Sequence, residues 1–267
     1  MLLLGAISVY SLNWKLSAFP RFEQTVKILA SVATFGGFLV AQTRTGLLGL
    51  PLFVLLGIVL FAGIGRPRRL LALLGVSAVL LIALVGGSDS LRHRLVQGIQ
   101  EVQVCQGEGS TSYSSMCIRL QLWHSAIDAG MTNPWVGLGD GGRYPEYLRD
   151  VAVDKGLIAQ RVVDEDFGEP HNDVMLFFAG FGFPGALGIL LIYLAPCFYF
   201  LPRLMRSGVS PQLRAAAAMG LAACLGFALF GLTETMFRRM NTMSFYVAFV
   251  ALFMVLSEPT PRRRIDR

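Results

Sequence analysis

A few residues in this 267-residue chain stand where their types could do chemistry. Residues 169–173 read EPHND and bring His171 to the edge of an apolar run that begins VMLFFAGFGF. A neutral imidazole there could take a proton from a hydroxyl, and a protonated one could bind an anion. Arg44, in QTRTGLLGL, opens another apolar stretch with no acidic residue within ten positions on either side, so no local ion pair accounts for it. Arg119 lies in RLQLWHSAIDAG, and Arg143 follows the glycine turn GLGDGG. Guanidinium groups bind phosphate-like oxygens through paired hydrogen bonds, so these residues suit stabilisation of concentrated negative charge without a metal.

Each of these residues also has a plain structural reading. Arg44 could snorkel to an interface; Arg119 could sit in a salt bridge on a helix surface, and Arg143 could be solvated. Pro170-His171-Asn172-Asp173 could be a helix entrance with Asn172 or Asp173 as the N-cap, although capping needs no histidine. Glu234, in GLTETMF, stands at a helix end where it could meet a basic residue, a sugar hydroxyl or solvent. His93 and His124 read as polar-face residues, and the run Asp164, Glu165, Asp166 as a solvated face. Gly180, Gly182, Gly185 and Gly188 read as close helix packing in lipid.

The elements that must position these residues are membrane helices. Hydrophobic residues make up 54% of the chain and charged residues only 15%, with a mean hydropathy of +0.58, which excludes an ordinary soluble domain. Stretches of about 17 to 25 residues suffice to cross a hydrocarbon core of roughly 30 Å. They run from Val26 to Gln42, Gly46 to Gly65, Leu70 to Gly86, Val174 to Leu201 and Leu213 to Leu232, with a shorter one from Met243 to Leu256. Met1 to Leu12 reads as the tail of a further span. MLLLGAISVY lacks a charged n-region and a small-residue cleavage site, so it is not a removable signal, and the chain reads as an N-terminally shortened form of something longer.

Basic residues in short loops stay on the cytoplasmic side. Lys15, Arg21 and Lys27, then Arg66, Arg68 and Arg69, then Arg203, Arg206 and Arg214, and finally Arg262, Arg263 and Arg264 fall on one side if every segment crosses; Arg238 and Arg239 point the other way. This arrangement puts residues 87–172 outside. That segment holds seven basic and twelve acidic residues, a net −5, while the remainder carries +11 of the overall +6. The basic pI therefore reports membrane anchoring and gives no support to nucleic acid as a partner. The expected organisation is N-terminal spans over 1–86, an outer loop domain over 87–172 and C-terminal spans over 173–267.

A connection of more than 80 residues between spans is far beyond the usual few and is functional or separately folded. In SMCIRLQLWHSAIDAG, the spacing of Cys117, Leu120, Trp123 and Ile127 predicts an amphipathic helix with those residues on its apolar face. The following MTNPWVGLGDGGRYPEYL is turn-rich, and its glycines let backbone approach a ligand closely. Cys105 and Cys117 share this outer segment, as a disulfide or as two free thiols. No HExxH or CxxC occurs, so no metal ligand set is expected.

RLQLWHSAIDAGMTNPWVGLGDGG followed by PHNDVMLFFAGFGFPGALGIL resembles the O-antigen ligase family, with QTRTGLLGL similar to that family's arginine motif at a membrane edge. The match rests on the order of three blocks over about 150 residues. The resemblance implies an all-α polytopic bundle of the GT-C type. It also implies an inner-membrane enzyme whose active site faces the periplasm and needs no metal or other cofactor. Its donor would be a glycan on undecaprenyl diphosphate and its acceptor lipid A core, with membrane lipid around both. His171, Arg119 and Arg44 are then the candidate catalytic residues, and Arg143, Asn172 and Glu234 the candidate substrate-binding residues. An O-antigen polymerase or a protein O-oligosaccharyltransferase would use the same kind of donor. A non-catalytic membrane subunit or a transporter is the alternative of another class. The lack of charge deep in a span, and of a pair of discontinuous helices, argues against a transporter.

Overall fold

The computed structural model describes residues 1–259 apart from 16, 42–43, 63–66, 88, 90–91, 94–95, 98, 101–104, 106–113 and 207; side chains at 13, 41, 44–48, 67, 70, 80–81 and 84–85 also lie outside it. Among the described residues every regular element is helical and no strand occurs. The apolar segments fold as α1 (Leu2–Tyr10), α2 (Pro20–Ala41), α3 (Arg44–Ala62) and α4 (Pro67–Gly86), followed after the outer segment by α8 (Asp173–Met205), α9 (Pro211–Gly231) and α10 (Met240–Leu256). Between them lie α5 (Ser115–Thr132) and the short α6 (Tyr144–Tyr147) and α7 (Gln160–Asp164). Proline opens α2, α4 and α9, where its missing N–H has no intrahelical acceptor to lose. Helices α8 and α9 are long and apolar enough to cross a membrane, while Gly49–Ala62 and α10 are apolar but shorter.

The chain divides into two compact units: residues 1–78, 193–227 and 244–267, and residues 79–192 with 228–243. In the first, α9 buries a run of small side chains, Ala215 to Ala218 with Ala222 and Ala223, and Gly220 lies against the Phe200 ring. Small residues let helix backbones approach closely where lipid gives no hydrophobic drive to pair. Lys27 Nζ donates to Ser11 O, Trp14 O and Glu23 Oε1, tying the α1–α2 connection to α2.

The second unit has its own core, with Ile118, Leu122, Ala126 and Ala129 of α5 packed against Tyr144, Leu148, Ile158, Val162, Leu176 and Ala179. Its α5 is rotated from the face expected of Cys117, Leu120, Trp123 and Ile127. Cys117 is buried, but Ile127 is 41% exposed, and Gln121 and Ser125 turn inward. Their polar atoms are satisfied inside: Gln121 Oε1 accepts from Ala159 N at 2.9 Å, and Ser125 Oγ donates to Gln121 O at 2.9 Å. Polar residues in the core defeat a reading based on hydrophobic spacing. Of the two alternatives for Cys105 and Cys117, the structure has the disulfide.

Helix α8 is not the continuous span expected. It breaks at Gly182, whose φ of 64° and ψ of −154° are open to glycine and strained for other residues. The break lets the turn after α5 come in against the backbone. Phe183 N donates to Pro134 O at 2.7 Å, Leu138 N donates to Ala179 O at 2.9 Å, and a Cβ on Gly137 would lie 2.6 Å from Ala179 O. The N–H freed by the break thus has an acceptor, as irregular backbone in an apolar setting requires. Gly180 and Gly182 pack against this turn, and nothing lies within 4 Å of a Cβ on Gly188. From Phe183 to Met205 the helix still rises about 34 Å, enough to span.

Candidate active site

The PHND stretch is locked at every residue by contacts within the second unit. His171 has a φ of 49°, in the left-handed region that non-glycine residues rarely occupy, and its neighbours hold it there. Trp123 Nε1 donates to Pro170 O at 2.8 Å. Asn172 is the N-cap of α8: its Oδ1 accepts from Met175 N at 3.1 Å, and its Nδ2 donates to Leu232 O at 3.0 Å. Asp173 is fully buried and accepts from the backbone N–H groups of Met236 and Phe237, each at 3.1 Å. Pairing a buried carboxylate with two backbone donors offsets its desolvation and fastens the 232–239 segment beside His171.

The same segment presents Glu234, which joins two of the candidate residues. Arg119 and Trp123, four residues apart, share one face of α5. Arg119 Nη1 donates to Thr233 O at 2.6 Å and Nη2 to Glu234 Oε1 at 3.0 Å. The other carboxylate oxygen, Oε2, lies 3.2 Å from His171 Nδ1. The hydrogen bond from His171, helped by the charge of Arg119, holds the Glu234 carboxyl below the usual carboxylate range against the opposing effect of burial. An ionised carboxylate only accepts, so Nδ1 carries the proton and Nε2 of neutral His171 keeps its lone pair. Nε2 makes no hydrogen bond among the described residues. The cluster is within reach of solvent, with Arg119 25%, His171 22% and Glu234 38% exposed. The ring of Phe167 meets His171 edge-on at 6.5 Å.

Glu169, Asp164 and Glu165, close to His171 in sequence, are occupied elsewhere. Glu169 pairs with Arg238 at 3.7 Å and Arg239 at 3.4 Å, the two arginines whose position opposed the other basic clusters. Gln160 Nε2 donates to Asp164 at 2.8 Å, and Arg161 lies 3.4 Å from Glu165. The carboxylate on the imidazole therefore comes from a residue 63 positions away.

His171, Arg119, Asn172 and Glu234 thus come together, and Arg143 does not join them. Arg143 is exposed, donating to Leu138 O at 3.1 Å with Glu146 at 4.0 Å. Arg44 opens α3, but its side chain lies outside the described residues. His93 and His124 are exposed. Trp123 and Asp173 also belong to the arrangement, although sequence reasoning gave Trp123 only a place on an apolar face and Asp173 only a capping role. The spacing of Trp123 from Arg119, and a carboxylate at the head of an apolar run, are the signals that could have found them. Among the described residues no group of three or more His, Cys, Asp or Glu side chains is placed to hold a metal ion.

A family model described as O-antigen ligase matches residues 29–190, more than half of the chain and inclusive of Arg44, Arg119 and His171. The chain is also similar to an uncharacterized protein of Haemophilus influenzae, at 24% identity over 161 residues, which are 60% of this chain and 39% of that protein. It therefore spans less than half the length of the relative it matches.

Proposed function

The chain belongs to the O-antigen ligase family, and on that premise we propose that it transfers a glycan from undecaprenyl diphosphate to lipid A core at the periplasmic face of the bacterial inner membrane. The family is membrane-associated, and lipid-linked glycans are its general substrates. In this reading the acceptor hydroxyl attacks the anomeric carbon while His171 Nε2 takes its proton. The bond from that carbon to the diphosphate oxygen breaks, and its electron pair leaves with the diphosphate.

The observation that carries the reading is the Glu234–His171 pair. A carboxylate on Nδ1 fixes the tautomer that leaves Nε2 basic, and it stabilises the imidazolium as the proton arrives. Arg119 holds Glu234 in place, and a diphosphate oxygen would share its guanidinium with that carboxylate. From the sequence alone, Arg44 and Arg143 are the further cations proposed for the leaving group. Asn172 and Asp173 serve by positioning, since their polar atoms are already used inside the protein.

The test is the purified full chain in lipid nanodiscs, given an undecaprenyl diphosphate-linked glycan and lipid A core. Glycan-bearing lipid A is the expected product. Glycan joined to glycan would point to a polymerase.

A further inference from the structure

Beside the His171 cluster, still within the second unit, lies a cavity of about 210 Å³ between the glycine turn and the first turns of α8. Phe177 and Phe181, one helical turn apart with ring centroids 6.1 Å from each other, and Phe237 give it aromatic walls. Asp140 and Arg238 bring opposite charges to it. Asp140 Oδ1 accepts from Gly142 N at 2.9 Å, whereas Oδ2 makes no hydrogen bond or ion pair among the described residues. Arg238 gives Nη1 to Gly168 O at 2.9 Å and shares it with Glu169 Oε2 at 3.7 Å, while its Nη2 and Nε make no hydrogen bond among the described residues. Gly141 and Gly142 add backbone to the lining and no side chain.

These groups match a pyranose ring. Its C–H face is apolar and suits an aromatic wall, while its hydroxyls both donate and accept. A carboxylate only accepts and a guanidinium only donates, so Asp140 and Arg238 together satisfy both functions of a hydroxyl rim. The volume is below the roughly 300–1,000 Å³ of sites for drug-sized ligands, so one ring fits and a whole repeat unit does not. A diphosphate is disfavoured by the Asp140 carboxylate. The cavity is also tied to the transfer centre: Phe237 N donates to Asp173 Oδ1 at 3.1 Å, two residues after His171.

We infer that this cavity is a subsite for one pyranose ring of the glycan, with Phe177 and Phe181 against the ring and Asp140 and Arg238 on its hydroxyls. The inference rests on the glycan-transfer reading and names a substrate contact within it. The ring could belong to the lipid-linked donor or to the lipid A core.

Saturation-transfer NMR on the full chain in nanodiscs tests it directly, with methyl α-D-glucopyranoside and methyl α-D-galactopyranoside as probes and sorbitol as the open-chain control. Magnetisation should reach the ring protons of at least one glycoside and not sorbitol. It should fall severalfold in Phe181→Leu and in Asp140→Asn, and persist in His171→Ala. Transfer to neither glycoside, equal transfer to sorbitol, or undiminished signal in both variants overturns the subsite. If Phe181→Leu does not fold, Asp140→Asn decides, because it retains the oxygen that caps the turn.

Asp140→Asn should raise KM about tenfold for one substrate, as loss of a charge-assisted contact would, and Phe181→Leu should raise it for the same substrate. Whether the donor or the lipid A core shows the rise identifies whose ring is bound. Glycoside binding by a chain that transfers nothing sinks the ligase reading and leaves the subsite standing. Transfer with unchanged KM for both substrates in both variants does the reverse.

Discussion

Glu234 Oε2 lies 3.2 Å from His171 Nδ1, so a carboxylate from the α9–α10 connection faces the imidazole at the head of α8. That contact bears on the two roles open to His171. With Nδ1–H committed to Glu234, neutral His171 offers Nε2 as a proton acceptor; a cationic His171 would offer Nε2–H to the diphosphate. The roles differ in sign with pH. A general base loses activity as pH falls and the imidazole protonates, whereas a cationic ligand loses it as pH rises. With His171 as the base, activity should be lost on the acid side. His171→Ala should be nearly inactive yet still bind lipid-linked donor, as measured by equilibrium binding in nanodiscs.

Arg119→Ala removes a contact to Glu234 and one to Thr233 O. Loss of a charge-assisted hydrogen bond worth about 1.5 to 3 kcal/mol should slow transfer about tenfold to a hundredfold. Lysine cannot reproduce the two-pronged contact, so Arg119→Lys should rescue only part of the rate. Steady-state transfer by Arg119→Ala at the wild-type rate, with normal protein level, would remove Arg119 from the site.

Glu234→Gln keeps the shape but cannot accept from both Arg119 and His171. A carboxyl held below its ordinary range contributes stability that is present above that range and lost as pH falls through its lowered pKa. The melting temperature of wild type should therefore exceed that of Glu234→Gln at neutral pH, and the two should converge in acid. The difference should be small, because Glu234 is 38% exposed. Melting curves that stay equally separated down to strongly acidic pH would show that the effect is not electrostatic.

Much of this arrangement could be read from the chain, for identifiable reasons. Helix positions followed from long apolar runs, and the head of α8 from Pro-His-Asn before one of them. Glu234 was visible as an acid at a helix end, but its partners were not, since nothing local links residue 234 to residues 119 and 171. The inward face of α5 was misplaced because Gln121 and Ser125 are buried with their polar atoms paired. The break at Gly182 was hidden because an approach by Pro134 O, 48 positions upstream, leaves no mark on hydrophobic periodicity.

Gly182→Ala puts a side chain at a positive φ and against the Pro134 carbonyl. The backbone strain alone should cost about 1 to 3 kcal/mol. Thermal unfolding in nanodiscs should report a lower midpoint, whereas Gly188→Ala, at an open position, should be near neutral.

The proposed orientation places residue 154 in the periplasm and residue 209 in the cytoplasm. Asp154→Cys should react with a membrane-impermeant thiol reagent in intact spheroplasts, and Val209→Cys only after lysis. Labelling of Val209→Cys but not of Asp154→Cys before lysis would reverse the orientation and move His171 away from the outer-leaflet substrates.

The central claim, that the His171 cluster joins a lipid-linked glycan to lipid A core, is tested most directly by a lipopolysaccharide gel of a strain deleted for this chain and complemented with wild type or His171→Ala. The deletion strain should show core without a ladder, with lipid-linked polymer accumulating; wild type should restore the ladder and His171→Ala should not. An unchanged ladder after deletion, core bearing single repeats, or full rescue by His171→Ala would contradict it.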